Sequence, residues 1–288
     1  MNKLYLQNNR LKIEILMPGE VYKQSRFDWM GMISQVTLDD RNTFCVKESL
    51  ISGIGTNGVG LSNEFGIEEP IGYEEAKVGG KFPKLGVGLL TKVEETDYKF
   101  HVDYDIEPFS ISFIKEGDNI RFLTDTKKCG GYEFKQSKTI SIKDNSLKIS
   151  YWLENVGTKP ISTTEYIHNF LGINNHPIGP EYKLRLSKGL EVEDLPKGFI
   201  NNSNEISLNK EVGNEFYFKT KSLKMGKGQF WELIHEPSAV GVRETVDFVI
   251  ERFAVWGRPH VISPEAFVKI DIKPGEIKEW SREFDFFD

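Results

Sequence analysis

The segment EYIHNFLGINNH, Glu165 to His176, holds two of the chain's five histidines together with Asn169, Asn174 and Asn175. Two chemistries suit such a stretch. Imidazoles and a carboxylate can hold a metal ion, or one imidazole can move a proton at a strand end. Glu165 and His168 have the ExxH spacing that ligates di-metal centres when a bundle helix carries it. The preceding KPISTTEYI, with its proline start and β-branched side chains, predicts a strand instead. On a strand, residues i and i+3 face opposite sides, so this pair does not converge on one ion. His168 and His176 are too far apart for a local zinc pair, and no matching ligand cluster stands elsewhere in the sequence. A site without metal is therefore expected. What remains is a structural histidine or a catalytic one, at a polar, aromatic-rimmed strand end closed by a turn at Gly172. That composition suits a sugar site, and it leaves both readings open.

The elements that must position these residues are strands. Apolar side chains recur with period two in YKFHVDYDI, where Tyr98, Phe100, Val102, Tyr104 and Ile106 share a face. SLKISYWLENVG repeats the pattern with Leu147, Ile149, Tyr151 and Leu153, and AFVKIDIKPGE with Val268, Ile270 and Ile272. Turn signals such as MPGE, KEGDN, ENVG and KPGE follow every ten to fourteen residues or so, the spacing of an all-β sandwich or barrel. The best short helix candidate is Ile71–Gly79. No linker or internal repeat interrupts the 288 residues, so one large, many-stranded, antiparallel β-sandwich over 1–288 is expected. From Glu48 to Lys84 the alternation lapses and glycine is frequent, as in a functional rim or lid. GIGTNGVG within it imitates a dinucleotide fingerprint. It lacks the flanking strand and helix that the motif requires, so a rim loop is the better reading.

Composition excludes several partners. Hydrophobic residues make up 39 %, charged residues 28 %, and the formal net charge is −6. A nucleic-acid binder would carry a basic excess. No apolar run approaches the roughly 20 residues needed to span a bilayer. The opening MNKLYLQNNRLKIEIL alternates too quickly for a signal-peptide core, and Cys45 and Cys129 form no disulfide framework or CxxC knuckle. Two reduced thiols in a cytoplasmic protein are expected.

STTEYIHNFLGIN resembles the segment of aldose 1-epimerases that reads roughly N-H-x-Y-F-N-L after a short β-branched strand. YWLENVGTKPIS resembles the LxNxGxxPI strand–turn–strand of the galactose mutarotase-like superfamily. VISPEAFVKIDIKPGEIKEW resembles that family's closing pattern of a glutamate, a strand, a PGE turn and a final strand with tryptophan. MPGEVYKQSRFDWMGMI resembles a bacterial branch with an RFDW strand. The resemblance implies a galactose mutarotase-like supersandwich that interconverts the anomers of a sugar. It places the general acid on His168 and the base on Glu265, with no metal or redox cofactor. Such chemistry calls for an ionised carboxylate and an imidazolium placed across the sugar ring, with opposite charges stabilising both. One departure is clear. The stretch KFPKLGVGLL has no histidine where the family carries its upstream one, and Lys84 or Lys92 is the candidate replacement donor. That loss motivates an alternative, a non-catalytic carbohydrate-binding or sugar-sensing protein.

Further residues are expected at such a sugar site. Arg26 and Asp28 would share a strand face, the guanidinium donating to sugar hydroxyls and the carboxylate holding it; a surface ion pair is the competing reading. Trp231 and His235 share a face in QFWELIHEP, as a sugar platform and a second imidazole, or as core and loop residues. Glu64 in the glycine-rich rim would close over a ligand. His101, His176 and His260 read as surface or turn residues.

Overall fold

Where period-two alternation is sustained, it becomes strand. The computed structural model describes residues 2–221 and 226–288. In Ser146–Asn155, Leu147, Ile149, Tyr151 and Leu153 are buried while Lys148 is exposed. The last third of Val261–Ile272 alternates too, with Ile270 and Ile272 inside and Asp271 outside. Among the described residues every strand ladder is antiparallel, and two ten-stranded sheets dominate. One hydrophobic cluster draws on both, from Ile13, Val36, Ile167 and Ile270 of the first sheet to Ile140, Leu147, Trp280 and Phe284 of the second. This is the antiparallel β-sandwich expected from the alternation.

Several segments depart from simple alternation, and they mark the functional region. Leu61–Phe65, the second half of Ile161–Asn169 and the first eight residues of Val261–Ile272 are buried on both faces. These strands lie side by side in the first sheet, followed by Arg252–Arg258 and Phe216–Thr220. One face meets the second sheet. The other is roofed by loops and by a three-stranded sheet of Lys81–Lys84, Gly88–Thr91 and Ile106–Pro108. An aromatic cluster including Phe27, Tyr73, Phe82, Tyr98, Tyr104 and Phe170 fills the space beneath that roof.

The inward face of the same strands carries a buried ionic ladder. Arg282 reaches Glu165 and Glu244, both at 2.8 Å, and Trp280 Nε1 donates to Glu165 at 3.1 Å. Lys138 lies 3.4 Å from Asp28 and donates to Asn63. Burial pushes Asp28 up to about 6, against the pull of Lys138. Charges taken this far from water persist only when paired and hydrogen-bonded.

Four expectations need correction. Ile71–Gly79 is a series of turns. YKFHVDYDI forms no strand before Ile106. Its alternating rings dock from an irregular backbone, with Tyr98 and Tyr104 stacked at 5.5 Å and Phe82 edge-on to Tyr104 at 5.7 Å. RFDW is also irregular, anchored by hydrogen bonds from Asp28 N to Asn63 O and from Trp29 N to Gly86 O. Finally, Glu64 is no rim residue: it sits fully buried inside Leu61–Phe65. The described residues contain two short 3₁₀ turns, Ile173–Asn175 and Glu236–Ser238, and no helix long and apolar enough to cross a membrane.

Candidate active site

The strand register sets the central pair. Ile161–Asn169 runs against Val261–Ile272 with Ile161 opposite Ile272 and Glu165 opposite Val268. An isolated bridge between Leu171 and Ile262 keeps the same register. Continued across the gap, it places His168 opposite Glu265. Their side chains meet at 3.4 Å, Nδ1 to Oε1, on the cleft face of the sheet. Period two explains the neighbours. Tyr166 and Phe170 flank His168 on its strand, and Ser263 and Phe267 flank Glu265 on its own. Ser263 Oγ donates to Glu265 Oε1 at 3.0 Å. Glu165, three residues before His168, points the opposite way into the ionic ladder, as a strand demands.

Burial decides the charge of this pair. His168 stacks on Phe170 at 4.0 Å and meets the edge of Trp256 at 5.0 Å. Desolvation, reinforced by the nearby Arg26 cation, holds the imidazole well below its ordinary value. Desolvation pushes the Glu265 carboxyl up to about 8, although Ser263 and Arg26 oppose it. Burial therefore favours, near neutral pH, a neutral imidazole beside a protonated carboxyl. The expected imidazolium and ionised carboxylate are thus reached by moving a proton between the two groups. His168 Nδ1 is too poorly aligned with Glu265 to count as hydrogen-bonded, and has no other partner among the described residues.

Arg26 supplies the cation. Its guanidinium donates to Glu64 at 2.9 Å, to Thr56 at 2.9 Å and to the Tyr166 hydroxyl at 3.2 Å, and packs 4.2 Å from the Phe100 ring. Tyr166 itself donates to Glu64 at 2.6 Å. Behind them the glycine-rich loop wraps a carboxylate of its own chain. Glu48 Oε2 accepts from Thr56 N at 2.7 Å and from Gly58 N at 3.0 Å. Gly55, at φ +81°, leaves the room, since a Cβ there would lie 2.7 Å from the Glu48 carboxyl. The resemblance to a phosphate cradle has this physical basis: the loop does bind an anion, an internal one.

His168, Glu265 and Arg26 line one cleft of about 1150 Å³, with Tyr166, Trp256, Phe100 and Arg252 among the other walls. The remaining candidates lie elsewhere. Asp28 faces Lys138 in the core and does not hold Arg26; Glu64 does. Glu64 and Lys84 lie behind the cleft wall. Lys84 donates to the Tyr98 hydroxyl at 3.2 Å, sits 4.0 Å from Glu64, and is drawn down to about 8 by burial. Lys92 is also buried, paired with Glu95 at 3.1 Å. Trp231 is a core residue of the second sheet, its indole donating to Glu244. His235 stacks on His176 at 4.1 Å and contacts Glu181 at 3.0 Å, also in the second sheet and outside the cleft lining. His101, expected on the surface, is exposed but stands on the cleft rim. Sequence reasoning missed Tyr166, Ser263 and Trp256. Tyr166 and Ser263 were open to it, two positions from His168 and Glu265 on the same faces.

Comparison with solved structures decides what this architecture is. A galactose mutarotase related enzyme from Lactobacillus acidophilus superposes with a TM-score of 0.65 at 11% identity, over 99% of this chain and 97% of its own. The fold is that of galactose mutarotase-like proteins. A galactose mutarotase-like protein from Lactobacillus casei gives a TM-score of 0.62 at 12% identity, covering 99% of this chain and 100% of that one. An aldose epimerase homologue from C. elegans gives 0.57 at 10% identity, over 99% and 98%. No family model and no curated protein matches the sequence. At these identities the mutarotase-like likeness is one of fold, and the chemistry rests on the cleft itself.

Proposed function

We propose that this protein is an aldose 1-epimerase-like enzyme that opens and recloses the hemiacetal ring of a sugar. The observation that carries the reading is the 3.4 Å contact between His168 and Glu265 on the floor of the cleft. The anomeric hydroxyl and the ring oxygen hang on the same carbon. An acid and a base serving them must therefore be neighbours, and these two are. The pair holds one transferable proton near neutral pH, that of the Glu265 carboxyl, the stoichiometry of one donor and one acceptor. Transfer of that proton from Glu265 to His168 creates the carboxylate base and imidazolium acid needed for opening. Glu265 then takes the proton of the anomeric hydroxyl while His168 protonates the ring oxygen. The open chain rotates about its first carbon–carbon bond, and reclosure runs with the roles exchanged. Arg26, fixed by Glu64, Thr56 and Tyr166, supports the developing negative charge.

The test is anomer exchange followed by NMR on a monosaccharide panel. Wild type is expected to accelerate exchange, and His168→Asn and Glu265→Gln each to lose about 10²–10⁴ of the rate. Exchange rates that stay at the uncatalysed level for every sugar would remove the proposal.

A further inference from the structure

The cleft is too large for one sugar ring. Pockets that enclose a whole drug-sized ligand measure roughly 300–1,000 Å³, and a hexose is smaller than such a ligand. The cleft here reaches about 1150 Å³ and does not end at its own wall. A second cavity of about 690 Å³ continues from it, and the two share Glu68, Glu69, Arg252 and Phe267. The shared saddle is a flat one, because the Arg252 guanidinium lies 4.0 Å over the Phe267 ring and is tethered to Glu68 at 2.7 Å. Aromatic surface also stands beside the central pair. Tyr217 is 50% exposed and lies opposite Trp256 across the sheet. Sugar rings stack on such faces through their C–H surfaces, with hydroxyls left for the polar rim.

The charges along the groove narrow the ligand further. Each guanidinium lining the main cleft is already matched: Arg26 by Glu64 at 2.9 Å, Arg252 by Glu68 at 2.7 Å and Arg258 by Glu215 at 2.6 Å. Glu69, Glu74 and Asp97 add carboxylates that form no ion pair among the described residues. In the second cavity, among the described residues, Lys219, Lys221, Arg252 and Lys269 face Glu68, Glu69, Glu251 and Asp271, four against four. A phosphorylated or uronic sugar would meet a neutral or negative wall.

We propose that the groove takes a neutral reducing oligosaccharide, its reducing-end ring at His168 and Glu265 and its further rings against Tyr217 and the outer face of the Arg252 guanidinium. The inference rests on the acid–base reading above, since only the reducing end has a free anomeric hydroxyl. It also implies that the substrate is released by cleavage of a glycosidic bond, a reaction class that yields a single anomer first.

Calorimetric titration would use three series: D-glucose with maltose and cellobiose, D-xylose with xylobiose, and N-acetylglucosamine with chitobiose. Glucose 6-phosphate serves as the charged probe. In at least one series the disaccharide is expected to bind at least about tenfold more tightly than its monosaccharide, a gain that Tyr217→Ala reduces. Glucose 6-phosphate is expected to bind no more tightly than glucose. Equal affinities for mono- and disaccharides in every series, no binding by any sugar, or tighter binding of the phosphate ester would each overturn the proposal. Anomer exchange on the same sugars separates the two readings. Exchange without a disaccharide gain sinks the extended groove and leaves the acid–base pair standing. A disaccharide gain without exchange supports the groove and sinks the acid–base pair.

Discussion

Ile161–Asn169 carries an ionisable side chain toward each face of its sheet, and the two faces treat that burden differently. Inward, Glu165 is met by Arg282, Trp280 and Asn63, and the ladder continues to Glu244. Outward, His168 and Glu265 touch without a well-aligned hydrogen bond, and Glu64 keeps one oxygen with no partner among the described residues. Buried polar groups in folded proteins are nearly always satisfied, so an unsatisfied cluster calls for an explanation. The inner ladder holds two sheets together. In the outer cluster the free nitrogen of His168 stands on the cleft, where a ligand can supply the partner, whereas the free oxygen of Glu64 and the ladder's own Arg282 Nε are walled in.

The largest expected effect breaks the ion-paired inner side. Arg282→Met leaves Glu165 and Glu244 buried without their cation and should cost about 3–5 kcal/mol of stability. A midpoint shift in urea denaturation reads this directly, and a loss below 1 kcal/mol would show that the ladder is dispensable.

The second prediction sharpens the unsatisfied side. Glu265 is raised from an ordinary 4.5 to about 8. The native state thus binds this proton more tightly than the unfolded chain does. The resulting stabilisation is full below pH 4.5 and is lost as pH rises through 8. Glutamine cannot ionise, so Glu265→Gln should be the more stable protein at pH 9 by roughly 1–3 kcal/mol, with a much smaller gap at pH 4. Thermal denaturation at both pH values would check this; an identical difference at the two would contradict it. The same ionisation removes the proton that Glu265 passes to His168, so kcat/KM is expected to fall above about pH 8.

The smallest effect concerns the support of the pair. Lysine carries one point charge and cannot span Glu64, Thr56 and Tyr166 at once. Arg26→Lys should lower kcat/KM roughly tenfold, a loss of about 1.4 kcal/mol, without unfolding the protein. Steady-state rates beside a melting curve would separate those outcomes.

Much of this was legible in the residues, and the failures share a cause. Leu147, Ile149, Tyr151 and Leu153 alternate because a second sheet covers only one side of their strand. Tyr98 and Tyr104 alternate too, but from a loop whose rings share an aromatic pocket, so periodicity alone misread it. Glu64 looked like a rim residue because Leu61–Phe65 is buried on both faces and shows no alternation at all. Lys84 stands where the resemblance calls for a histidine, and Trp231 and His235 share a strand face, but neither sign carries depth. Only tertiary placement could show that Lys84 lies one layer behind the cleft, and that the other two belong to the opposite sheet.

The meeting of His168 with Glu265 is fixed by a ladder register in the middle of the larger assembly, whereas the surrounding walls come from connecting segments such as Glu48–Gly60 and Asp97–His101. Loops tolerate insertion and exchange far better than central strands do. Residues of those walls can therefore be exchanged piecemeal while the register that brings His168 to Glu265 is inherited unchanged.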